Sequence, residues 1–146
     1  MEKRININEV EPQAYKAMYA LVNYLNHSSI GHELMELIKI RASQINACAF
    51  CLDMHTKDAL KLGITQQKIF LLNAWKETHL FSDSEKAALA LTEEVTLIHR
   101  GGVSNETYDQ LLKYFDEHQI AQLIMAIVTI NSWNRMAIST HLEIPE

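Results

Sequence analysis

Residues 36–55 read ELIKIRASQINACAFCLDMH and hold both cysteines of the chain, Cys48 and Cys51, with His55 four residues after the second one. At about 100° per residue, an α-helix would bring these three side chains within roughly 60° of one another. The same apolar stripe continues to Leu62, as is typical of a helix face turned toward the protein interior. We therefore expect the two thiols in a semi-buried pocket and not on open surface.

Local signals place the cysteine pair near the start of a helix. Asn46 is a favourable N-cap residue, because its side chain can accept a hydrogen bond from a free backbone N–H, and Gly63 fits a C-terminal stop. With Asn46 as the cap, Cys48 would lie in the first turn and Cys51 just after it. Unpaired N–H groups and the helix dipole favour a thiolate there, and the thiolate is the form that attacks peroxides and disulfides.

Composition narrows the class of protein. A length of 146 residues predicts one domain spanning residues 1–146, and a content of only four glycines and two prolines favours helix over turns and strand edges. The net charge of −5 argues against a nucleic-acid binder, which needs clustered Lys and Arg. The N-terminal sequence has no apolar run of the signal-peptide type, and two closely spaced cysteines do not form a secreted disulfide framework. We therefore expect a cytoplasmic protein.

Apolar positions recur at helical spacing along most of the chain. Pro12 suits a first helical turn, Thr65 can cap a short helix, and Ser82 with Glu85 forms a capping box. The sequence therefore predicts an all-α, single-domain bundle of about six to seven helices. Their approximate bounds in chain order are residues 12–25, 30 to before 46, 46–63, 65–78, 82–101, 104–115 and 119–142.

The last of these segments is mostly apolar. A membrane-spanning helix needs about 20 apolar residues in a row, and polar groups such as Gln122, Asn131 and Arg135 interrupt this segment. A helix that is apolar on most sides is instead buried in a bundle or shared with another subunit. We therefore expect no membrane span and a homo-oligomer, and we expect Trp133 of this segment to pack in the core.

The stretch resembles the core motif of the alkylhydroperoxidase D and carboxymuconolactone decarboxylase superfamily, E-x4-R-x-S-x2-N-x-C-x2-C-x3-H followed by a glycine. Eight positions at fixed spacing make a specific pattern. This resemblance implies an all-helical fold, a trimer or hexamer, and a peroxidase that uses a cysteine pair without an organic cofactor or a metal. The matching positions are Glu36, Arg41, Ser43, Asn46, Cys48, Cys51, His55 and Gly63.

The resemblance also assigns roles. It implies that Cys51 is the peroxidatic cysteine that attacks a small hydroperoxide, and that Cys48 is the resolving cysteine that closes a disulfide. His55 and Glu36 would move protons, with Glu36 acting through Cys48 or a water. A dithiol donor, either a lipoyl carrier as in the best-known members or a thioredoxin-like protein, would then reduce the pair. The founding type has a histidine where this chain has Phe50, which makes the rim of the site more apolar.

The chemistry of the residues supports the proton-transfer roles in part. A neutral imidazole at His55 can take the thiol proton. A carboxylate at Glu36 that is partly withdrawn from water would have a raised pKa and could act as an acid or base near neutrality. We expect Arg41, Ser43 and Asn46 to be structural, with Arg41 paired to an acid or a helix end.

Other interpretations stay open at this point. The cysteines can be small buried apolar residues, or they can bind zinc together with His55, although a fourth ligand of comparable spacing is missing. The pair can also serve a general thiol:disulfide oxidoreductase or belong to a non-catalytic assembly protein. The decarboxylase branch of the superfamily lacks the cysteine pair, so decarboxylation ranks low.

Overall fold

The computed structural model describes residue 2 and residues 4–145, and all regular structure in this part of the chain is helical. The all-α prediction is therefore confirmed. The α-helices are α1 (Ile7–Val10), α2 (Pro12–Asn26), α3 (His32–Asn46), α4 (Ala49–Lys61), α5 (Gln66–Phe70), α6 (Asp83–Thr96), α7 (Asn105–Leu111) and α8 (Glu117–Thr140), and two 3-10 segments span Leu72–Glu77 and Ile98–Arg100.

Most helix starts follow from short polar signals in the sequence. The Thr65 hydroxyl accepts from the backbone N–H of the residue three positions on, and Ser82 and Glu85 form the predicted reciprocal capping box at α6. A second capping box, between Asp116 and Gln119, starts α8 earlier than predicted. The sequence analysis did not identify this box, which uses Asp and Gln where the box at α6 uses Ser and Glu. The one-turn helix α1 was also missed, because four residues are too few to show a hydrophobic period.

Residues 65–78 were predicted as one helix but form two. Helix α5 ends at Phe70, and the following segment is a 3-10 helix with a kink at Ala74, whose φ of −113° and ψ of 25° are not helical. The buried stripe predicted for this region is nevertheless present. Helix α6 likewise stops at Thr96, before the predicted glycine stop, and a 3-10 turn leads to Gly101 at a φ of 125°.

Helix α3 lies at the centre of the bundle. It packs against α4, α6 and α8, and its residues Leu37, Ile38, Ile40 and Ala42 have no exposed surface. Because these residues cover most directions around the helix, the middle of α3 is buried on most sides, and the buried set includes the polar residues Glu36 and Ser43. The central position of α3 is what carries a carboxylate into the interior beside α4.

The apolar character of α8 is explained largely within one chain. This helix packs against α3, α6, α2 and α4, and its inward residues are buried. Val128 and Ile138 lie on its exposed side. The homo-oligomer stays a prediction. No helix among the described residues is both long enough and apolar enough to cross a membrane.

Arg41 pairs with an acid, as predicted. Its guanidinium contacts Glu93 Oε1 through Nε at 3.0 Å and Nη2 at 2.9 Å, and Trp75 Nε1 donates to the same oxygen at 2.8 Å. Burial by itself raises the pKa of Glu93. The hydrogen bonds from Trp75 and Arg41, together with the positive charges of Arg41 and Lys76, outweigh that effect, so the pKa lies below its ordinary value. This cluster ties α3, α6 and the first 3-10 segment together.

Glu93→Gln should lower the free energy of unfolding at pH 7 by about 1–3 kcal/mol, because charge-assisted hydrogen bonds become neutral ones. A carboxyl whose pKa is depressed in the folded state stabilises the protein above its unfolded value, near 4.5, and loses that effect as the pH falls through the folded value. The difference between wild type and variant should therefore shrink below pH 4.5. Urea unfolding of the wild type and the variant at several pH values measures this difference in the free energy of unfolding. Glu77→Gln, at an exposed position, is the control. A difference that grows on acidification would contradict the lowered pKa of Glu93.

Candidate functional site

The cysteine pair sits at a tight elbow between α3 and α4. Asn46 is the last residue of α3, Ala47 adopts a left-handed conformation at a φ of 56°, and Cys48 is the N-cap of α4. The Cys48 backbone N–H donates to the Ser43 carbonyl at 3.0 Å, which closes the end of α3. The prediction that Asn46 caps the cysteine helix is wrong, because the chain completes α3 before turning. The cap is Cys48 itself, whose sulfur accepts from the Cys51 N–H at 3.4 Å.

The Asn46 side chain instead fixes the elbow to α8. Its Nδ2 donates to Oδ1 of Asn131 and to Oδ1 of Asn134, both at 2.9 Å. Asn134, which is fully buried, donates onward to the Ser43 hydroxyl at 2.9 Å. Sequence reasoning missed this network. Two asparagines three residues apart on an otherwise apolar helix are the signal that could have revealed it, because buried amides require polar partners.

Cys48 and Cys51 are joined as a disulfide, with a Cα–Cα distance of 5.4 Å. Both are buried, at 1% and 2% exposure, and they pack against Ala137 of α8. Their surroundings differ, because Cys51 lines a cavity and Cys48 lies behind it at the elbow. The prediction that the thiols lie off the open surface is confirmed, but both residues are fully buried and not semi-buried as expected. The buried stripe of α4 ends at Ala59, however, and Leu62 is exposed, contrary to the prediction, because the helix already ends at Lys61.

The cavity next to Cys51 has a volume of about 350 Å³ and is formed mainly by α2, α4 and α8. Tyr15, Tyr19 and Trp133 form one wall, with ring centroids 5.3–6.1 Å apart. Trp133 is therefore a half-buried cavity residue and not the core residue that was predicted, because its face of α8 meets the tyrosines of α2. The predicted apolar rim at Phe50 is present, since this side chain also lines the cavity. The size is at the lower end of small-molecule sites.

His55 and Glu36 meet directly across the α3–α4 contact. His55 Nδ1 and Glu36 Oε2 are 2.8 Å apart, and both residues are buried, at 8% and 7% exposure. An ionised carboxylate can only accept, so Nδ1 carries the hydrogen and Nε2 is the nitrogen that can exchange a proton elsewhere. His55 follows Cys51 by one helical turn and lines the same cavity. Glu36 therefore contacts the histidine itself, whereas the sequence predicted a route through Cys48 or a water.

The predicted direction of the Glu36 pKa shift is wrong. Burial does raise the pKa of Glu36, but the hydrogen bond from His55 and the charges of Lys39 and His55 outweigh it, and the pKa lies below the ordinary value. Lys39 Nζ is 2.7 Å from Glu36 Oε1 and also lines the cavity. Sequence reasoning missed Lys39, although its position three residues after Glu36 on one helix makes such a pair possible.

A group of metal-ligating atoms exists beside the cysteines. Single ligand atoms of Glu36, His55 and Asp58 lie within 4.8 Å of one another. Both carboxylates, however, already have cationic partners, Lys39 for Glu36 and Lys61 for Asp58. The zinc site considered from the sequence needs both cysteines as thiolates, and here they are bonded to each other. The arrangement fits a disulfide flanked by a carboxylate–histidine pair better than it fits a metal centre.

Comparisons with known proteins agree with this architecture. The chain is 46% identical over 139 residues to the uncharacterized protein YdfG of Bacillus subtilis (strain 168), with 95% of each chain covered. It matches the structure of a protein of unknown function from Agrobacterium tumefaciens, suggested to be an antioxidant defence protein AhpD, with a TM-score of 0.95, 37% identity and 99% of each chain covered.

A more distant structure, the debrominase Bmp8, matches with a TM-score of 0.81 at 18% identity, over 94% of this chain and 74% of that one, and shares the fold alone. A family profile covers more than half of the chain: that of the carboxymuconolactone decarboxylase family matches residues 12–94. Together with the identity to YdfG, this match shows that the chain belongs to the carboxymuconolactone decarboxylase family, with an AhpD-like fold.

Proposed function

We propose that the protein is a cysteine-pair peroxidase that reduces hydroperoxides through a cycle of the Cys48–Cys51 disulfide. One observation carries this proposal: of the two disulfide-bonded residues, Cys51 lines a mainly apolar cavity that His55 also lines. Peroxide reduction needs a thiolate, a proton donor for the leaving oxygen and a second thiol, and these groups are adjacent here. The suggested AhpD role of the related Agrobacterium protein points the same way.

In the first step, the reduced Cys51 thiolate attacks one oxygen of the hydroperoxide. The O–O bond breaks, Cys51 becomes a sulfenic acid, and the alkoxide leaves as an alcohol after taking a proton. Cys51 lies in the first turn of α4, where free N–H groups and the helix dipole stabilise the thiolate. The cavity beside Cys51 is lined mainly by apolar side chains, so these fixed dipoles act more strongly than they would in bulk water.

In the second step, Cys48 captures the sulfenic acid. Its sulfur attacks the Cys51 sulfur, the disulfide forms, and the sulfenic oxygen leaves as water. A hydroperoxide and two thiols thus give an alcohol, water and a disulfide. The backbone needs little rearrangement for this, because a 5.4 Å Cα–Cα distance is within the usual range for a disulfide.

His55 and Glu36 handle the protons. With Nδ1 held by Glu36, His55 can take the thiol proton at Nε2 and return it to the leaving oxygen. Glu36 fixes the tautomer and stabilises the imidazolium that forms in between. Because the pKa of Glu36 is lowered, it performs this role as a carboxylate and is not itself the proton donor at neutral pH. Lys39 keeps it ionised.

A general thiol:disulfide oxidoreductase would use the same pair on protein disulfides. The burial of Cys51 counts against this alternative, because a disulfide on a folded partner has to reach the sulfur of a residue that is only 2% exposed. A small hydroperoxide fits the cavity without such a rearrangement. Reduction of insulin disulfides faster than of an organic hydroperoxide would favour the alternative.

Cys51→Ser should lower the rate of hydroperoxide consumption by on the order of 100-fold or more, since the attacking sulfur is lost. Cys48→Ser should also stop turnover, but it should leave one sulfenic acid per chain after one equivalent of peroxide. Peroxide assays with a dithiol donor, and mass spectrometry after trapping with dimedone, separate the two cases. Asp53→Asn on the same helix is the control and should keep the wild-type rate; equal activity in the two cysteine variants would contradict the roles.

Glu36→Gln should lower kcat/KM for the hydroperoxide by about 10–100-fold, because His55 loses the carboxylate that orients it and stabilises its cation. The amide preserves shape, so the helical fold should persist by circular dichroism. Glu33→Gln, at an exposed position of the same helix, is the matched control and should have no effect. Wild-type kcat/KM in a folded Glu36→Gln protein would remove Glu36 from the mechanism.

A further inference from the structure

Among the described residues that line the cavity beside Cys51, one is a lysine. Most of the lining is apolar or aromatic, and none of these lining residues is an aspartate or a glutamate. Lys39 of α3 is the lining residue with an ammonium group, and its side chain keeps 24% of its surface exposed. Charges attract each other more strongly beside an apolar wall than in bulk water. The cavity therefore offers a favourable place for a negatively charged group of a ligand.

The ion pair between Lys39 and Glu36 has its positive end at the cavity. Lys39 Nζ lies 2.7 Å from Glu36 Oε1, and Glu36 Oε2 lies 2.8 Å from His55 Nδ1. Lys39 and His55 line the cavity, whereas Glu36 does not. An ammonium group has three N–H donors and no acceptor, so the bond to Glu36 leaves donors for a ligand. A ligand in the cavity therefore meets the cation of this pair before its carboxylate.

One ammonium group suits a ligand that carries a single negative charge. A carboxylate can accept a charge-assisted hydrogen bond from Lys39 Nζ, and such bonds are roughly twice as strong as neutral ones. A phosphate monoester carries close to two negative charges at neutral pH, and its second charge would find no second lysine or arginine among the described lining residues. Burial of an unpaired charge is costly. The chemistry of the cavity therefore favours a carboxylate over a phosphate.

We propose that Lys39 binds the carboxylate of an organic hydroperoxide, so that the preferred substrates are small apolar hydroperoxides that carry one carboxylate. This inference rests on the proposed peroxidase function and names its substrate class. The hydrocarbon part of the substrate packs on the aromatic wall formed by Tyr15, Tyr19 and Trp133. Lys39 thus determines specificity, in addition to its contact with Glu36.

Electrostatics also orients such a substrate. The reduced Cys51 thiolate lies at the same cavity and repels a carboxylate, whereas Lys39 attracts it. The carboxylate therefore lies at Lys39, and the uncharged hydroperoxide group approaches Cys51 beside His55. In this orientation the O–O bond is the part of the molecule that meets the sulfur. A cavity volume of about 350 Å³ suits a small acid of this kind.

The substrate class is tested with a matched pair of hydroperoxides. Cumene hydroperoxide is neutral, and its para-carboxylate derivative adds one negative charge to the same skeleton. In the wild type, kcat/KM should be about tenfold or more higher for the carboxylate, and this ratio should fall to about one in Lys39→Met, because a charge-assisted hydrogen bond is lost. Lys39→Arg keeps the charge and should retain most of the preference. A wild-type preference for the neutral hydroperoxide would overturn the inference.

The ratio of the two kcat/KM values separates carboxylate binding from the contact of Lys39 with Glu36. Lys39→Met removes a partner of Glu36 and should lower kcat/KM for both hydroperoxides alike, so this effect cancels in the ratio. Lys16→Met, at an exposed position of α2, is the matched control and should keep the wild-type ratio. The methyl ester of the derivative has no charge and should react like cumene hydroperoxide. An unchanged ratio in a folded Lys39→Met protein would contradict the proposed carboxylate contact.

A binding measurement distinguishes failure of this inference from failure of the proposed function. Calorimetric titration of the oxidised protein, which has no thiolate, compares 4-isopropylbenzoate with 4-isopropylbenzamide. The wild type should bind the acid at least about tenfold more tightly than the amide, and Lys39→Met should lose this preference. If the acid is preferred but neither hydroperoxide is consumed, the peroxidase proposal fails and the carboxylate contact stands. If both hydroperoxides are consumed equally and the acid is not preferred, the assignment of Lys39 is wrong and the peroxidase proposal stands.

Discussion

The geometry of the site depends on the elbow between α3 and α4. One left-handed residue, Ala47, ends α3 and lets Cys48 begin α4 as its N-cap. The left-handed conformation costs a non-glycine residue roughly 1–2 kcal/mol, so the surroundings must hold it in place. The hydrogen bonds from Asn46 to Asn131 and Asn134 do so, because they anchor the end of α3 to α8. The cysteine pair is thus positioned by a three-helix contact and not by its own helix alone.

The second constraint is the burial of a carboxylate. An unpaired charge in the interior would cost several kcal/mol, and Glu36 avoids this through two partners, His55 at 2.8 Å and Lys39 at 2.7 Å. Their combined effect reverses the direction that burial alone would give the pKa of Glu36. The carboxylate is therefore charged at neutral pH, which suits the orientation of a histidine but not proton donation. The ion pairs of Glu36 with His55 and Lys39, and not its burial, therefore determine the protonation state of this carboxyl at neutral pH.

Much of this arrangement could be predicted from the sequence, and the failures have physical causes. The capping box at Ser82 and the buried stripe of residues 65–78 were predictable because hydrogen bonds and hydrophobic period act over a few residues. The role of Asn46 could not be predicted. An asparagine before a helix is usually a favourable N-cap, and only the structure shows that this side chain binds Asn131 and Asn134 of α8 instead. The prediction of a raised Glu36 pKa failed for the same reason, because the contact with His55 joins residues 19 positions apart in the sequence. Local rules described the elements, while the polar contacts between elements required the structure.

The site combines two opposing influences on the thiols. An apolar cavity disfavours charge and by itself raises the pKa of a thiol, whereas the start of α4 offers N–H groups that stabilise a thiolate. Both influences act on Cys51, because it lines the cavity and lies in the first turn of α4. Cys48 does not line the cavity and occupies the cap itself, where its sulfur accepts from the Cys51 N–H. Phe50 in the cavity wall adds apolar surface and no titratable group, so the proposed mechanism assigns the proton chemistry to His55 and its carboxylate. In the proposed cycle, Cys51 would react with a small hydroperoxide at the cavity while Cys48 stays buried, at 1% exposure.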